Sequence, residues 1–123
     1  METRPLISVV DDDESVRESL PDLLKEFGFA AQTFSSAEEF LISKYLSETK
    51  CLILDVAMPG LSGPDLQREL MRRRQDIPIV FITAHRDATV RPRLIERGAV
   101  DCLFKPFSDL DLLEALNSAL RHS

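Results

Sequence analysis

Four apolar runs in this chain stop on a polar residue capable of chemistry. Val9-Val10 runs into Asp11-Asp12-Asp13, Ile53-Leu54 into Asp55, Phe81-Ile82 into Thr83, and Leu103-Phe104 into Lys105-Pro106. If the fold brings these ends together, Asp11, Asp12 and Asp55 become like-charged neighbours, and at about 4 Å and an effective dielectric of about 20 each such pair repels by about 4 kcal/mol. Lys105 supplies one compensating charge. A hard divalent cation supplies two and prefers carboxylate, carbonyl and water oxygens, and Mg²⁺ suits a sparse set because it keeps several waters and takes one or two carboxylates plus a phosphate. A cation, an ammonium and the Thr83 hydroxyl gathered around one carboxylate would neutralise a phosphoryl group, whose transfer is catalysed mainly by positioning and charge stabilisation. Asp55 is then the nucleophile.

The elements that must position these groups follow from hydrophobic patterning. Short continuous apolar runs, unlike alternating ones, mark strands covered by helices on both faces of a parallel sheet. They predict strands at 6–10, 31–34, 51–54, 78–82 and 102–104. Between them lie helical spacings. Val16, Leu20, Leu23, Leu24 and Phe27 share one face of a first helix that Gly28 ends. Ser36-Ala37-Glu38-Glu39 has the form of a capping box opening a second helix. Pro64 suits the first turn of a third helix bearing Leu66 and Leu70, and Ser108 caps a last one bearing Leu112, Leu113, Leu116 and Leu120. Two prolines interrupt the pattern. Pro21 lies inside the first helix, where the apolar face continues across it and a kink is expected. Pro92 should delay the fourth helix to about Arg91, leaving 86–90 as a loop.

Strand and helix alternate throughout with no linker or internal repeat, so the expected class is α/β, one domain over residues 1–123, built by right-handed crossovers. Five strands at this spacing suit a flavodoxin-like three-layer arrangement with sheet order 2-1-3-4-5 and five helices. Their carboxyl ends then form one edge, where open α/β sheets bind ligands.

Composition narrows the function classes. The 123 residues carry a net charge of −6, with 44% hydrophobic and 29% charged residues, which excludes disordered, collagenous and coiled-coil chains. The acidic balance argues against direct binding to nucleic acid or an anionic membrane. The one basic cluster, Arg72, Arg73 and Arg74, reads as the last turn of a helix, where cations meet the negative end of the macrodipole. Cys51 and Cys102 lie in apolar stretches without metal-ligand spacing and read as buried free thiols of a reduced compartment. The opening Met1-Glu2-Thr3-Arg4-Pro5 is not followed by a signal-peptide core, and no run approaches the ~18 apolar residues of a membrane span, so a cytoplasmic location is expected.

Val9-Val10-Asp11-Asp12, Leu54-Asp55-Val56-Ala57-Met58-Pro59-Gly60, Ile82-Thr83-Ala84 and Lys105-Pro106-Phe107 together resemble a response-regulator receiver domain of two-component signalling. The resemblance covers nearly the whole chain. Gly98-Ala99-Val100-Asp101 and Ser36-Ala37-Glu38 look most like receivers joined to helix-turn-helix transcriptional output domains; no such output segment is recognised within these residues. The resemblance implies that Asp55 accepts a phosphoryl group from a sensor histidine kinase. It implies Mg²⁺ held directly by Asp12, Asp55 and the backbone carbonyl of Ala57, with Asp11 acting largely through water. It implies that Thr83 binds a phosphoryl oxygen, that Lys105 pairs with the same group, that the Lys105–Pro106 peptide is cis, that kinases dock near the first helix, and that homodimers form through the fourth helix, fifth strand and fifth helix.

The chain also departs from the family. Receivers usually place Tyr or Phe three residues before the lysine, and here that position is Cys102. A thiol cannot fill that space, so signalling should depend more on displacement of the fourth helix. Ala57 and His85 flank the expected path of an attacking water, Ala57 leaving room and His85 either shielding it or being only an exposed loop residue. Ala57 also weakens the main enzymatic alternative, an aspartate-dependent phosphohydrolase, which wants an acid at that position to protonate a leaving alcohol. An interaction module without phosphorylation is disfavoured by the intact Asp55, Thr83 and Lys105. A flavin-binding flavodoxin is disfavoured because acids occupy the place of a phosphate loop.

Overall fold

The computed structural model describes residues 4–121; residues 1–3, on which part of the reading of the N-terminus falls, and residues 122–123 lie outside the described part. Strands and helices alternate as β1 (Leu6–Val10), α1 (Glu14–Glu26), β2 (Ala30–Phe34), α2 (Ala37–Leu41), β3 (Thr49–Asp55), α3 (Gly63–Arg72), β4 (Ile79–Thr83), α4 (Val90–Glu96), β5 (Asp101–Phe104) and α5 (Asp109–Arg121), with a short 3₁₀ turn at Leu46–Glu48 before β3. The five strands are parallel in the order β2-β1-β3-β4-β5. This is the expected flavodoxin-like arrangement.

The continuous apolar runs have a direct cause. Along β3, Leu52 and Leu54 face a core shared with Phe40, Leu66, Leu70, Phe81 and Leu94, whereas Cys51 and Ile53 face a second core with Leu20, Leu24, Leu112 and Leu116. Helices α2, α3 and α4 cover one face of the sheet, and α1 and α5 the other. Both parities of the strand are removed from water.

Several expectations shift in detail. β3 begins at Thr49, two residues before its apolar run, because the Thr49 hydroxyl is satisfied inside the protein, 2.7 Å from Ser8 Oγ. β4 runs one residue later than expected, so Thr83 is its last residue. The capping box at Ser36 is half formed: Ser36 Oγ accepts from the Glu39 N–H at 3.1 Å, but the Glu39 carboxylate accepts from Ser35 Oγ instead of returning to the Ser36 backbone. A complete reciprocal box stands at the start of α3, between Ser62 and Asp65. α1 continues unbroken through Pro21. α4 starts at Val90, one residue before the expected point, which leaves Pro92 in the first turn, where its missing N–H has no intrahelical partner to lose.

Other local readings agree with the structure. Gly28, at φ 95°, ends α1 in the left-handed region, and Ser108 Oγ accepts from the Asp111 N–H at 3.0 Å. Arg72 and Arg73 lie at the end of α3 and both pair with Glu69. Cys51 and Cys102 are free buried thiols in different cores, pushed by burial up to about 12 and about 11 respectively, so neither carries thiolate near neutrality.

Candidate functional site

The carboxyl edge of the sheet collects the polar ends of β1, β3, β4 and β5. Asp55 is the last residue of β3 and Thr83 the last of β4; Asp11 follows β1 directly and Lys105 follows β5. Asp11, Asp12 and Asp55 each place a carboxylate oxygen within 4.8 Å of the other two. Asp11 is fully buried, Asp55 is 6% exposed, and Asp12 is open to solvent.

Asp11 anchors the group because all of its polar functions are engaged. Its N–H donates to Phe34 O at 3.1 Å and its carbonyl accepts from Arg17 Nη1 at 2.8 Å. Oδ1 accepts from the Asp13 N–H at 2.9 Å, and Oδ2 accepts from Lys105 Nζ at 3.0 Å. Lys105 Nζ lies 3.8 Å from Asp55 Oδ1. Burial alone would lower the lysine's pKa, but the hydrogen bond and charge of Asp11, with Asp55 and Asp13, hold it above the ordinary value. The ammonium is therefore a permanent cation of the site.

One ammonium does not satisfy three carboxylates. Burial, followed by the charge of Asp11, pushes the Asp55 carboxyl up to about 7 against the pull of Lys105. Asp55 thus lacks a sufficient counter-charge in the metal-free protein. A hard divalent cation fits this donor set: Asp12 offers a solvent-facing carboxylate and Asp55 a second, and the exposure of Asp12 lets such an ion keep several waters. Ala57 is exposed in the β3–α3 loop, two residues beyond Asp55.

Thr83 is 1% exposed, and its Oγ1 accepts from the His85 N–H at 3.1 Å. Oγ1 acts there as an acceptor, which leaves its hydroxyl proton free to be donated. The Lys105 N–H donates to Thr83 O at 2.8 Å, and the Lys105–Pro106 peptide is cis. Asp13 stands apart from the acidic group's work: it is the N-cap of α1, accepting from the Ser15 N–H at 2.9 Å and Ser15 Oγ at 2.7 Å.

Two residues essential to this geometry escape a sequence reading. Arg17 looks like a polar position on α1, yet it holds the Asp11 carbonyl. Gly63 looks like part of a turn before Pro64; a Cβ there would collide with the Asp55 carbonyl oxygen and come within 2.9 Å of the Phe81 ring. α3 can approach the end of β3 only because that residue has no side chain.

Residues 7–117 match the family model described as the response regulator receiver domain. The chain belongs to the response regulator receiver family. This receiver domain is 47% identical over 117 residues to nodulation protein W of Bradyrhizobium diazoefficiens, covering 95% of the chain and 52% of that protein. It is 43% identical over 116 residues to response regulator protein TodT of Pseudomonas putida, covering 94% of the chain and 51% of that protein. The receiver therefore spans about half the length of these curated relatives. Among solved structures, FixJ-N superposes with a TM-score of 0.87 at 36% identity, covering 100% of this chain and 98% of that one. Response regulator StyR superposes with a TM-score of 0.89 at 44% identity, covering 98% and 61%. Receivers of this family are typically phosphorylated on an aspartate, bind Mg²⁺ at an acidic cluster and take their signal from sensor histidine kinases. No helix among the described residues is long and apolar enough to cross a membrane.

Proposed function

We propose that residues 1–123 form a phosphorylation-activated switch in which Asp55 accepts a phosphoryl group from the phosphohistidine of a sensor histidine kinase. The supporting observation is the juxtaposition of Asp11, Asp12 and Asp55 within 4.8 Å beside a single lysine. In the transfer an Asp55 carboxylate oxygen attacks phosphorus. The P–N bond to the donor imidazole breaks with its electron pair going to nitrogen, and an aspartyl phosphate forms. Water later attacks the same phosphorus and returns the carboxylate.

Asp12, Asp55 and the Ala57 carbonyl would hold Mg²⁺ directly, and the ion would supply positive charge to the phosphoryl oxygens. Asp11 contributes through water, as suits a carboxylate already occupied by Lys105 and the Asp13 N–H. Lys105 then stands ready to pair with the phosphoryl group, and the Thr83 hydroxyl donates to one of its oxygens. The chain is not an enzyme with an external substrate, because Ala57 offers no acid for a leaving alcohol. Its output runs through a partner or a DNA-binding domain of the kind implied for its transcriptional relatives. A homodimer through α4, β5 and α5 is the assembly we assign to the phosphorylated form, and the cytoplasm its place of action.

Incubation with a small phosphodonor and Mg²⁺, followed by intact mass and size-exclusion chromatography, tests this reading. The wild type should gain one phosphoryl group and shift toward dimer, and Asp55→Asn should do neither. A wild type without the mass gain contradicts the reading.

A further inference from the structure

The acidic first turn of α2 divides its work. Ser36 caps the helix and Glu39 accepts from Ser35 Oγ, but Glu38 reaches across to another element. Its Oε2 accepts from the Leu61 N–H at 3.3 Å, a contact between residues 23 positions apart. Gly60 lies against the same carboxylate: a Cβ there would stand 2.8 Å from Glu38 Oε2 and push the flexible side chain aside. Its φ of 75° is also in the left-handed region, so the turn that brings the chain past Glu38 favours glycine on both counts.

The segment that Glu38 grips leads from Asp55 into α3. It is closed at its base, where the Gly63 N–H donates to Val56 O at 3.0 Å and the Val56 N–H donates to Ile82 O at 3.0 Å. Both ends are thereby fixed to the sheet. Between them Met58 sits in the core with Phe40, while Ala57, Pro59 and Gly60 are exposed. Among the described residues, the bond to Glu38 is the only hydrogen bond made by residues 57–61. The arc that carries the Ala57 carbonyl is therefore held by one apolar anchor and one polar tie, and the tie comes from α2.

We propose that Glu38 is a positioning residue for Mg²⁺, holding the Leu61 N–H so that the 57–61 arc keeps the arrangement in which the Ala57 carbonyl serves the ion. The inference rests on the reading of Asp55 and Ala57 as residues that would hold Mg²⁺, and it adds a helix that supplies nothing else to the site. An arc that loses its polar tie visits other arrangements, and an ion that needs one of them binds more weakly in proportion to the time spent elsewhere. The working part of Glu38 is its acceptor oxygen and not its charge, since a side-chain amide can accept from the same N–H.

Calorimetric titration with Mg²⁺, paired with amide hydrogen exchange in EDTA, tests the tie. Glu38→Ala should bind Mg²⁺ about two- to tenfold more weakly, the range that one lost hydrogen bond supplies. In the same variant the Leu61 amide should exchange faster in EDTA while the amides of β1 and β3 keep their rates. Glu38→Gln, which retains an acceptor oxygen, should match the wild type in both measurements. Glu39→Ala, which removes the same charge from the neighbouring position, should match it too. A Glu38→Ala variant that binds Mg²⁺ like the wild type or leaves Leu61 exchange unchanged, or a Glu38→Gln variant as weak as Glu38→Ala, overturns the positioning role while leaving the Asp55 chemistry intact. A wild type that binds no Mg²⁺ overturns the phosphoacceptor reading and the positioning role with it.

Discussion

Lys105 Nζ stands 3.8 Å from Asp55 Oδ1 because the ammonium is committed to Asp11 Oδ2 at 3.0 Å. The lysine is therefore shared unequally between the two buried carboxylates. Asp11 receives a charge-assisted hydrogen bond, and Asp55 is left with a weaker, longer-range attraction. This asymmetry makes one carboxylate an anchor and the other a site awaiting positive charge.

Removing the lysine should expose that dependence. Lys105→Met leaves the fully buried Asp11 without its cation and should lower stability in EDTA by about 1–3 kcal/mol, measured by urea denaturation. Added Mg²⁺ should recover part of the loss. Unchanged stability in EDTA would show that the ammonium does not hold the site together.

The metal-free protein should depend on pH in the reverse of the usual carboxylate sense. An unfolded Asp titrates near about 3.9, whereas Asp55 in the fold is pushed up to about 7, so between these values the folded state binds more protons than the unfolded one. The contribution of Asp55 is thus fully present below the unfolded value and is lost as pH rises toward about 7. Urea denaturation in EDTA should show the wild type losing more stability from acidic to mildly alkaline pH than Asp55→Asn. Parallel profiles for the two would contradict the assignment.

Gly63→Ala should cost about 1–3 kcal/mol, the range for an overpacked interior, because its Cβ meets the Asp55 backbone and the Phe81 ring and neither can retreat. Thermal unfolding measures the cost. Since the displaced atoms belong to Asp55, Mg²⁺ affinity by calorimetry should fall in the same variant.

His85 donates to Thr83 Oγ1 through its backbone N–H, and its side chain is exposed. His85→Ala should therefore leave the phosphoryl half-life unchanged. His85→Pro, which deletes the N–H, should alter the response to a phosphoryl mimic. A changed half-life in the alanine variant would place the imidazole in the path of water.

The legibility of this molecule in its sequence follows from what each residue must satisfy. The strands were readable because both faces of the sheet are buried, and the site was readable because each strand ends abruptly on a polar group. The inward role of Thr49 is not legible in sequence because its hydroxyl meets that of Ser8, 41 positions away. That of Arg17 is not, because its contact is to a backbone carbonyl, which has no side-chain signature. That of Gly63 is not, because a close approach between elements is a property of packing and not of local pattern. The half-formed box at Ser36 and the complete one at Ser62 differ in where a flexible carboxylate finds its best donor: Glu39 accepts from Ser35 Oγ, Asp65 from the Ser62 N–H.

On the proposed function, the acidic group at the sheet edge uses Mg²⁺ to place a phosphoryl group on Asp55. Intact mass over time in a small phosphodonor, with Mg²⁺ or EDTA, followed by borohydride reduction and peptide mapping, tests this without intermediaries. The expected result is a mass gain of one phosphoryl group that requires Mg²⁺ and maps to residue 55. A gain that persists in EDTA, or that maps to another residue, would contradict it.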